Sequence, residues 1–291
     1  MKAAGSPSGG VLYLVATPIG NLEDITLRAL RILKDADVIA CEDTRQTQKL
    51  LNHYGVTTRT ASYHEHNEMT RAAELALELE EGAKVALVSD AGMPAISDPG
   101  YRLISLAIRH GIPVVPIPGA SAFVAALAAS GLPTDSFRFG GFLPAKRGAR
   151  RSELEQFKDS PRTQIYYEAP HRLLETLTDL VEVMGPERQV VVAREVTKLH
   201  EEFLRGRAED LRKQLKDREI KGEITLLIRA AEAAGAGPVA VEMPRKKSVR
   251  SRLDEVMQER QLDQKAALKV VARELGVSRS EAYRELQRSK R

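Results

Sequence analysis

Two short polar clusters combine residue types that can move protons or grip a polar ligand. Glu42, Asp43 and Arg45 stand in the sequence E-D-T-R, and His64 and Asn67 bound the sequence H-E-H-N. Carboxylates and imidazoles are the side chains that most often act as general acids and bases near neutral pH. The first cluster also fits a plain helix start, with Asp43 as the N-cap and Arg45 in solvent.

The second cluster invites comparison with a metal site. In a strand, His64 and His66 would face the same side. A zinc site needs three or four ligands, and no third ligand is evident in the neighbouring sequence. Metal binding is therefore disfavoured, and the cluster is either a polar loop that lines a cleft or a plain surface loop.

Three loops that leave apolar strands carry small, polar and glycine residues. They are residues 17–21 (T-P-I-G-N), 89–100 (S-D-A-G-M-P-A-I-S-D-P-G) and 118–121 (P-G-A-S). In open α/β sheets a ligand lies outside the carboxyl ends of the strands. The three loops therefore predict one wall of a cleft for a small polar ligand, although Ser121 could simply cap a helix.

Two polar clusters follow strands in the second half of the chain. Residues 167–172 (Y-E-A-P-H-R) begin a helix at Pro170. His171 and Arg172 thus place cations in a first helical turn, where the helix dipole disfavours them. Their unfavourable position indicates a functional role for these two residues. The alternative is that they are a pair of surface residues without a function. Lys198 closes the sequence R-E-V-T-K at another strand end.

Residues 142–151 (F-L-P-A-K-R-G-A-R-R) predict a flexible basic loop next to the cleft. Lys146, Arg147, Arg150 and Arg151 place four cations within six residues. Such a loop suits contacts to nucleic-acid phosphates, which position a nucleic acid without reading its sequence. A solvated loop without a ligand is the alternative.

Alternating strands and amphipathic helices must position these residues. The first strands are predicted at residues 11–16, 38–41, 84–88 and 114–117, and the helices at 26–36, 70–81, 99–109 and 121–130. Strands separated by helices imply a largely parallel sheet with helices on both faces.

A break at residues 131–135 separates a second α/β unit. Its strands are predicted at residues 137–142, 163–168, 189–194, 202–207 and 223–229, with helices near 148–157 and 170–184. The close succession of the last strands suggests a mixed sheet. We therefore predict an α/β fold with domains at residues 11–132 and 133–230, after a disordered tail at residues 1–10.

The charge is unevenly distributed along the chain. The net charge is +4, yet residues 244–291 carry +7 and the remainder carries −3. We predict a linker at residues 231–244 and a basic helical module at 245–291 that meets a polyanion, or else a solvated basic tail. A helix at residues 263–275, Gly276 and a capping box from Ser278 resemble a helix-turn-helix, a pattern that small helical bundles share.

Composition excludes several classes of protein. Hydrophobic residues make up 43% of the 291 and charged residues 29%, which is ordinary for a soluble globular protein. No apolar run approaches the roughly 20 residues of a membrane span. Cys41 is the one cysteine, so we expect no disulfide framework and a cytoplasmic location. The P-loop, the G-x-G-x-x-G fingerprint of common Rossmann enzymes and the G-x-S-x-G elbow are absent from the sequence.

Nine motifs occur in order from Tyr13 to about Arg229. They are V-A-T-P-I-G-N-L, E-D-T-R, H-E-H-N, S-D-A-G-x-P-x-I-S-D-P-G, P-G-A-S-A, G-F-L-P-A-K, Y-E-A-P-H-R, R-E-V-T-K and K-G-E. In these motifs the chain resembles the tetrapyrrole methylase superfamily, and in particular its members that methylate ribosomal RNA. The resemblance implies two α/β domains with a cofactor cleft between them, and a homodimer.

By the same resemblance, the cofactor is S-adenosylmethionine, and the product is S-adenosylhomocysteine. The acceptor is the ribose 2′-hydroxyl of a cytidine in the decoding region of 16S rRNA, within the small ribosomal subunit. The cofactor-binding residues implied are Pro18, Ser89, Asp90, Ala91, Gly92, Met93, Ile96, Ser121, Ala122, Glu168, Ala169, Thr225 and Leu226. Met93 departs from the threonine expected there, and a lost side-chain hydrogen bond would weaken binding by about 0.5–1.5 kcal/mol.

Roles in proton transfer and RNA binding are less sharply defined. The candidate catalytic or ribose-positioning residues are Glu42, Asp43, Arg45, His64, Asn67 and Lys198. The candidate RNA-binding residues are Lys146, Arg147, Arg150, Arg151, Arg172, Arg279 and Arg284. The alternatives are a carbon methyltransferase for a tetrapyrrole precursor, which would need a G-x-G-P-G first loop, and a non-enzymatic nucleic-acid-binding regulator.

Overall fold

The computed structural model describes residues 9–231, 253, 256–258, 262–274, 280, 283 and 286. The chain divides into two compact units, residues 1–236 and 237–291. The first unit contains two five-stranded sheets, which carry the residues discussed below. Most of the predicted tail and linker, residues 1–8 and 232–244, lies outside the described residues. Gly10, assigned to the tail, is buried next to the first strand.

The first sheet is parallel and has the strand order β3-β2-β4-β1-β5. Its strands are β1 (Val11–Val15), β2 (Val38–Cys41), β3 (Thr60–Ser62), β4 (Lys84–Leu87) and β5 (Val114–Ile117). The helices that connect them are α1 (Leu27–Asp35), α2 (Thr44–His53), α3 (Glu68–Glu80) and α4 (Tyr101–Arg109). A short 3₁₀ helix, Leu22–Asp24, precedes α1.

Alternation along the strands builds a core on each face of this sheet, because successive side chains point to opposite faces. Val38 and Ala40 of β2 pack with α3 and α4. Ile39 and Cys41 pack with α1 and α2 on the other face. The predicted parallel sheet with helices on both faces is confirmed.

The second sheet is mixed and has the order β6-β7-β10-β8-β9, with β6 and β7 parallel and the other pairs antiparallel. Its strands are β6 (Phe137–Phe142), β7 (Thr163–Glu168), β8 (Gln189–Arg194), β9 (Glu202–Arg207) and β10 (Ile224–Ile228). The helices α6 (Arg147–Phe157), α7 (Leu173–Met184) and α8 (Ala208–Leu215) pack on one face.

Helix α5 (Ala122–Ser130) joins the two sheets. It follows β5 of the first sheet, and its buried residues Ala126 and Leu127 pack with Ile165 and Leu227 of the second. The start of α5 therefore lies where the two sheets approach each other.

Several elements differ from the prediction. Strand β3 and helix α8 were not predicted, because β3 has only three residues and α8 follows β9 without a break. Residues 142–151 are not one flexible loop, since α6 begins at Arg147. The helix predicted from Pro170 is divided into a 3₁₀ turn, Pro170–Arg172, and α7.

The second compact unit is described through part of its helical core. Helix α9 (Gln264–Glu274) agrees with the predicted amphipathic helix, and Asp263 Oδ1 accepts a hydrogen bond from Ala266 N at 2.7 Å. Its buried residues Ala267 and Val271 pack with Leu253 and Val256. Ser278, Arg279 and Arg284 lie outside the described residues. In the described part of the chain, no helix has the length and apolar character that a membrane crossing requires.

Candidate functional site

A cavity of about 430 Å³ lies where loops of the first sheet face the start of α5 and the edge of β7 and β10. We call it the cleft cavity. Residues of loop 89–100 and the first turn of α5 line one side, and residues at the adjoining ends of β7 and β10 line the other. The sequence predicted that three glycine-containing loops form one wall of a cleft, and the structure shows residues of these loops along one side of the cavity.

Thirteen residues were expected to touch a cofactor, and ten of them line the cleft cavity: Asp90, Ala91, Gly92, Met93, Ile96, Ser121, Ala122, Glu168, Ala169 and Thr225. Pro18, Ser89 and Leu226 do not line it. The Leu226 side chain is fully buried in the core of the second sheet and does not face the cleft cavity. Ser121 does not cap α5 through its side chain.

Hydrogen bonds pin the loop after β4 to the end of β1. Thr17 and Gly92 exchange two backbone hydrogen bonds, of 2.9 and 3.1 Å, and Thr17 Oγ1 donates to the Ser89 carbonyl at 3.0 Å. Ser89 Oγ donates to the Gly92 carbonyl at 3.1 Å. Ser89 therefore holds the shape of the loop instead of contacting a ligand.

The same loop holds backbone strain next to the cavity. Ala95 and Ser97 have φ values of 64° and 65°, which non-glycine residues adopt at a cost of about 1–3 kcal/mol each. Gly92 has a φ of 85°, and a Cβ there would lie 3.3 Å from Ile19 Cγ2. Strained backbone of this kind persists only where the surrounding structure holds it in place, and it is typical of ligand-binding segments.

The cleft cavity is acidic. Its described lining includes the carboxylates of Asp90, Asp98 and Glu223, of which Glu223 pairs with Lys198 outside the lining, and none of its described lining residues is Lys, Arg or His. Burial, together with the charges of Glu42 and Asp90, raises the pKa of Asp98 to about 6. The cavity therefore favours a ligand with positive charge and disfavours phosphate groups.

Glu168 lines the cavity without adding a free charge. Its side chain is fully buried and pairs with Arg172 Nη2 at 2.7 Å. Its carboxylate also accepts hydrogen bonds from Thr176 Oγ1 at 2.6 Å and from Ala169 N at 2.7 Å. This pairing explains the cation in the first turn after β7: Arg172 neutralises a buried carboxylate, and its side chain is only 17% exposed.

A second cluster of carboxylate side chains adjoins the cavity at the ends of β2 and β4. The Asp43 backbone N–H donates to Asp90 Oδ1 at 3.2 Å, which ties the start of α2 to the lining. Burial raises the pKa of Glu42, and Asp90 raises it further, whereas His64 lowers it. In the described part of the chain, His64 Nδ1 is buried and has no hydrogen-bond partner. Glu42 and His64 are thus brought together beside the cavity.

The other residues of the two polar clusters have structural contacts. Asp43 N-caps α2 and pairs with the Arg45 guanidinium, whose side chain is 87% exposed. Asn67 Oδ1 accepts a hydrogen bond from His64 N at 2.8 Å, and its amide donates to the Ser62 carbonyl. None of these three residues lines the cleft cavity. The described residues contain no group of three or more His, Cys, Asp or Glu placed to hold a metal ion.

Lys198, in the loop after β8, lies against Gly20 of the loop after β1. Its ammonium contacts Glu195 Oε1 at 2.9 Å and Glu223 Oε2 at 3.1 Å. Burial acts to lower the pKa of Lys198, but the hydrogen bonds to Glu195 and Glu223 outweigh it and raise the pKa. A lysine held in its charged form is a poor proton acceptor, so this geometry favours a positioning role.

Gly20 provides a test of this contact, because its Cβ position would lie 2.2 Å from Lys198 Cγ. We expect Gly20→Ala to displace Lys198 and to lower the free energy of unfolding by about 1–3 kcal/mol through overpacking. Thermal unfolding measures this. The matched control is Gly148→Ala, where a Cβ would meet nothing within 4 Å and α6 should be neutral or slightly stabilised. Equal melting temperatures for the two variants would contradict the described contact.

The predicted basic loop is largely a paired arginine cluster. Arg150 has a side chain that is 1% exposed and pairs with the equally buried Asp179 at 2.8 Å. Arg147 and Arg151 pair with Asp179 and with Glu182 on α7. The expectation that Arg150 contacts RNA is therefore wrong, because the side chain is enclosed. Of the four cations, Lys146 and Arg147 are exposed; Lys146 precedes α6, and the Arg147 side chain is 63% exposed although it is paired.

Several lining residues were not identified from the sequence: Ile19, Ser97, Asp98, Phe123, Phe142, Tyr167, Pro170, Val196, Gly222, Glu223 and Ile224. Asp98 and Glu223 stand in motifs that the sequence analysis singled out, I-S-D-P-G and K-G-E. Their carboxylates could have been named as candidates on that ground. Which of them faces the cavity depends on the loop conformation, which the motif does not specify.

Comparison with known proteins agrees with this architecture. The family model of the tetrapyrrole (corrin/porphyrin) methylases matches residues 11–212. A protein of Halalkalibacterium halodurans named ribosomal RNA small subunit methyltransferase I is 58% identical over 219 residues, covering 75% of each chain. A protein of Mesorhizobium japonicum with the same name is 50% identical over 252 residues, covering 83% of this chain and 86% of the relative.

Solved structures share the fold. The methyltransferase CobJ superposes with a TM-score of 0.57 at 21% identity, covering 79% of this chain and 98% of that one. A uroporphyrin-III C-methyl transferase from Thermus thermophilus, complexed with S-adenyl homocysteine, gives a TM-score of 0.52 at 22% identity, covering 75% and 97%. The chain therefore belongs to the tetrapyrrole methylase family, within the group of proteins named ribosomal RNA small subunit methyltransferase I.

Proposed function

We propose that this chain uses S-adenosylmethionine to methylate the ribose 2′-hydroxyl of a cytidine in the decoding region of 16S rRNA. The observation that carries the proposal is the acidic cleft cavity, whose described lining contains no cation, in a chain about half identical to relatives named for small-subunit rRNA methylation. The fold and the relatives support the class of reaction. The position of the methyl group and the identity of the nucleotide follow from the resemblance of the motifs.

The cavity residues fit this cofactor in size and in charge. A volume of about 430 Å³ lies within the range of roughly 300–1,000 Å³ that small-molecule sites occupy. Ile19, Met93, Ile96 and Val196 offer apolar surface for an adenine ring. S-adenosylmethionine carries a sulfonium and an ammonium against one carboxylate, so its net charge complements the carboxylates of the cavity. Met93 lines the cavity in place of the expected threonine.

Calorimetric titration tests the cofactor half of the proposal. We expect S-adenosylmethionine to bind and ATP, which shares the adenosine but carries phosphates, not to bind measurably under the same conditions. Tight ATP binding would contradict the charge argument. If S-adenosylmethionine did not bind, this result would contradict the proposed reaction.

The residues of this chain would supply positioning and proton transfer. When bound, the cofactor offers a methyl group that its positive sulfur has already activated. The ribose oxygen forms a bond to that carbon as the carbon–sulfur bond breaks, and the hydroxyl proton must leave. We propose that Glu42 or Asp98 accepts it, since both carboxylates have raised pKa values beside the cavity. His64 and Asn67 would position Glu42, and Lys198 would position Glu223.

The biological setting is part of the proposal. We propose that the acceptor is an assembled small subunit or a late precursor, and that the protein acts in the cytoplasm as a homodimer. Comparing methyl transfer into small subunits with transfer into protein-free 16S rRNA tests the acceptor. Equal rates on both would contradict recognition of the assembled particle. Light scattering during size-exclusion chromatography tests the dimer, which a monomeric mass would contradict.

A further inference from the structure

A polar groove runs along α2, outside the cleft cavity. Its lining residues are Thr44, Arg45, Gln48, Lys49, Asn52 and Thr60. The groove has a volume of about 450 Å³ and is open to solvent along its length. We call it the α2 groove. Its occupant has to be recognised largely by polar groups, because its described lining contains neither an aliphatic nor an aromatic side chain.

Helical spacing places the donors of the groove on one side of α2. Arg45, Gln48, Lys49 and Asn52 are three or four residues apart, and residues at that spacing are neighbours on a helix surface. Helix α2 contains no Asp or Glu. The lining thus offers two cations with amide and hydroxyl groups, which is the set that proteins use to contact nucleic-acid phosphates and sugars.

Both cations are accessible to a further partner. Lys49 Nζ donates to the Gln46 amide oxygen at 2.8 Å, and the ion pairs of the described residues include none for Lys49. Arg45 forms a bidentate pair with Asp43, through Nε at 3.2 Å and Nη2 at 3.1 Å, but the Arg45 side chain is 87% exposed. A phosphate could therefore replace the amide partner of Lys49 and contact the exposed side of the Arg45 guanidinium.

The groove begins next to the reaction site. Asp43 caps α2 and accepts from the Arg45 backbone N–H, and the Asp43 backbone N–H in turn donates to Asp90 of the cleft cavity. One residue therefore separates the groove from the acidic cavity. The two surfaces have opposite charge, so a strand could place a ribose at the cavity and its phosphates along α2.

Of the arginines of α6, which the sequence suggested for this role, Arg150 is buried, and the other two each pair with two carboxylates of α7. We infer that the α2 groove binds the phosphate backbone of the RNA strand beside the acceptor nucleotide, through Arg45, Gln48 and Lys49. This inference rests on the proposed function, since it places the RNA at the mouth of the proposed methyl-transfer site.

The test is Lys49→Glu in the full-length chain, with Lys34→Glu as the matched control. Lys34 is an exposed lysine in the last turn of α1, outside the groove. We expect Lys49→Glu to raise the KM for small subunits about tenfold or more and to reduce the salt slope of RNA binding by about one. Binding of S-adenosylmethionine should not change. Lys49→Arg, which keeps the charge, should restore the KM.

A second readout separates this inference from the proposed function. Fluorescence anisotropy with a labelled decoding-region RNA hairpin measures RNA binding without methyl transfer. Weaker hairpin binding by Lys49→Glu, but not by Lys34→Glu, would support the groove even if the wild-type protein transferred no methyl group. Equal KM and equal hairpin affinity for both variants, with active wild-type protein, would overturn the groove and leave the methyltransferase standing.

Discussion

Asp98→Asn is expected to weaken the binding of S-adenosylmethionine by about 10- to 100-fold. The basis is the loss of a charge-assisted contact, which contributes about 1.5–3 kcal/mol. Asp98 lines the cleft cavity and lies close enough to Glu42 and Asp90 for their charges to act on it. If Asp98 is also the proton acceptor, the turnover number at saturating cofactor will fall by a further factor of about 10²–10⁴.

The same substitution weakens cofactor binding but should increase the free energy of unfolding. We expect this increase only at pH values above the folded-state pKa of Asp98. Burial and two neighbouring carboxylates raise the pKa of Asp98 to about 6, whereas an unfolded aspartate has a pKa of about 3.9. Between these values the folded protein holds a proton that the unfolded chain releases, so the stability of the wild-type protein falls as the pH rises from about 4 to 6. Above this window the folded state carries an unfavourable charge.

Asp98→Asn removes that charge and should raise the free energy of unfolding at pH 8 by about 1 kcal/mol, a small value because Asp98 is only partly buried. At pH 4 the difference should vanish. Thermal unfolding at both pH values measures it, with Asp135→Asn, at an exposed turn position, as the control. A variant that binds the cofactor normally and melts like the wild type at pH 8 would contradict the proposed electrostatics of the cavity.

Asp179→Ala is expected to have the largest effect on stability, a loss of about 3–5 kcal/mol. Asp179 and Arg150 both have side chains that are 1% exposed, and Arg150 Nε donates to Asp179 Oδ2 at 2.8 Å. Without Asp179, the buried Arg150 keeps only the longer contact to the exposed Glu175 as an ion pair, and breaking a buried ion pair in this way has a cost of this size. Denaturation by urea, followed by circular dichroism, measures the change.

Glu175→Ala is the matched control, because Glu175 contacts the same Arg150 at 3.4 Å but has a side chain that is 70% exposed. This exposed partner should contribute at most about 1 kcal/mol. If both variants lost the same stability, the burial argument would be wrong.

The cost of Asp179→Ala should depend on pH. Burial acts to raise the pKa of Asp179, but hydrogen bonds from Arg147 and Arg150 outweigh it and hold the pKa below its ordinary value. A carboxyl with a lowered folded-state pKa stabilises the fold above its unfolded pKa of about 3.9, and this contribution is lost as the pH falls through the folded value. The gap between the wild type and Asp179→Ala should therefore narrow below about pH 4.

Much of the fold was predictable because local signals and burial agree. Strands such as β2 and β8 are continuous apolar runs with polar ends, and their bounds agree with the prediction. Helix α1 was predicted at residues 26–36, and the structure shows that Thr26 caps it through its side chain. Strand β3 escaped prediction because its three residues are only partly buried and carry no apolar run.

The candidate site was predictable as a set of loops and less so as a set of side chains. Loop 89–100 was placed at the cavity by its position after a strand, but whether Ser89 or Asp98 faces the ligand depends on hydrogen bonds to Thr17 and on left-handed backbone at Ala95 and Ser97. The prediction that the arginines of α6 form an exposed loop was wrong, because their partner, Asp179, lies about thirty residues away in the sequence. Pairing at that separation is a tertiary property.

The most direct test is methyl transfer from labelled S-adenosylmethionine into small ribosomal subunits that lack the modification, with digestion of the rRNA to nucleosides and identification by mass. We predict label in 2′-O-methylcytidine from the decoding region, and a sharply reduced rate with Asp98→Asn. Label on a base atom, or no label in RNA although S-adenosylmethionine binds, would contradict ribose methylation at the cleft cavity.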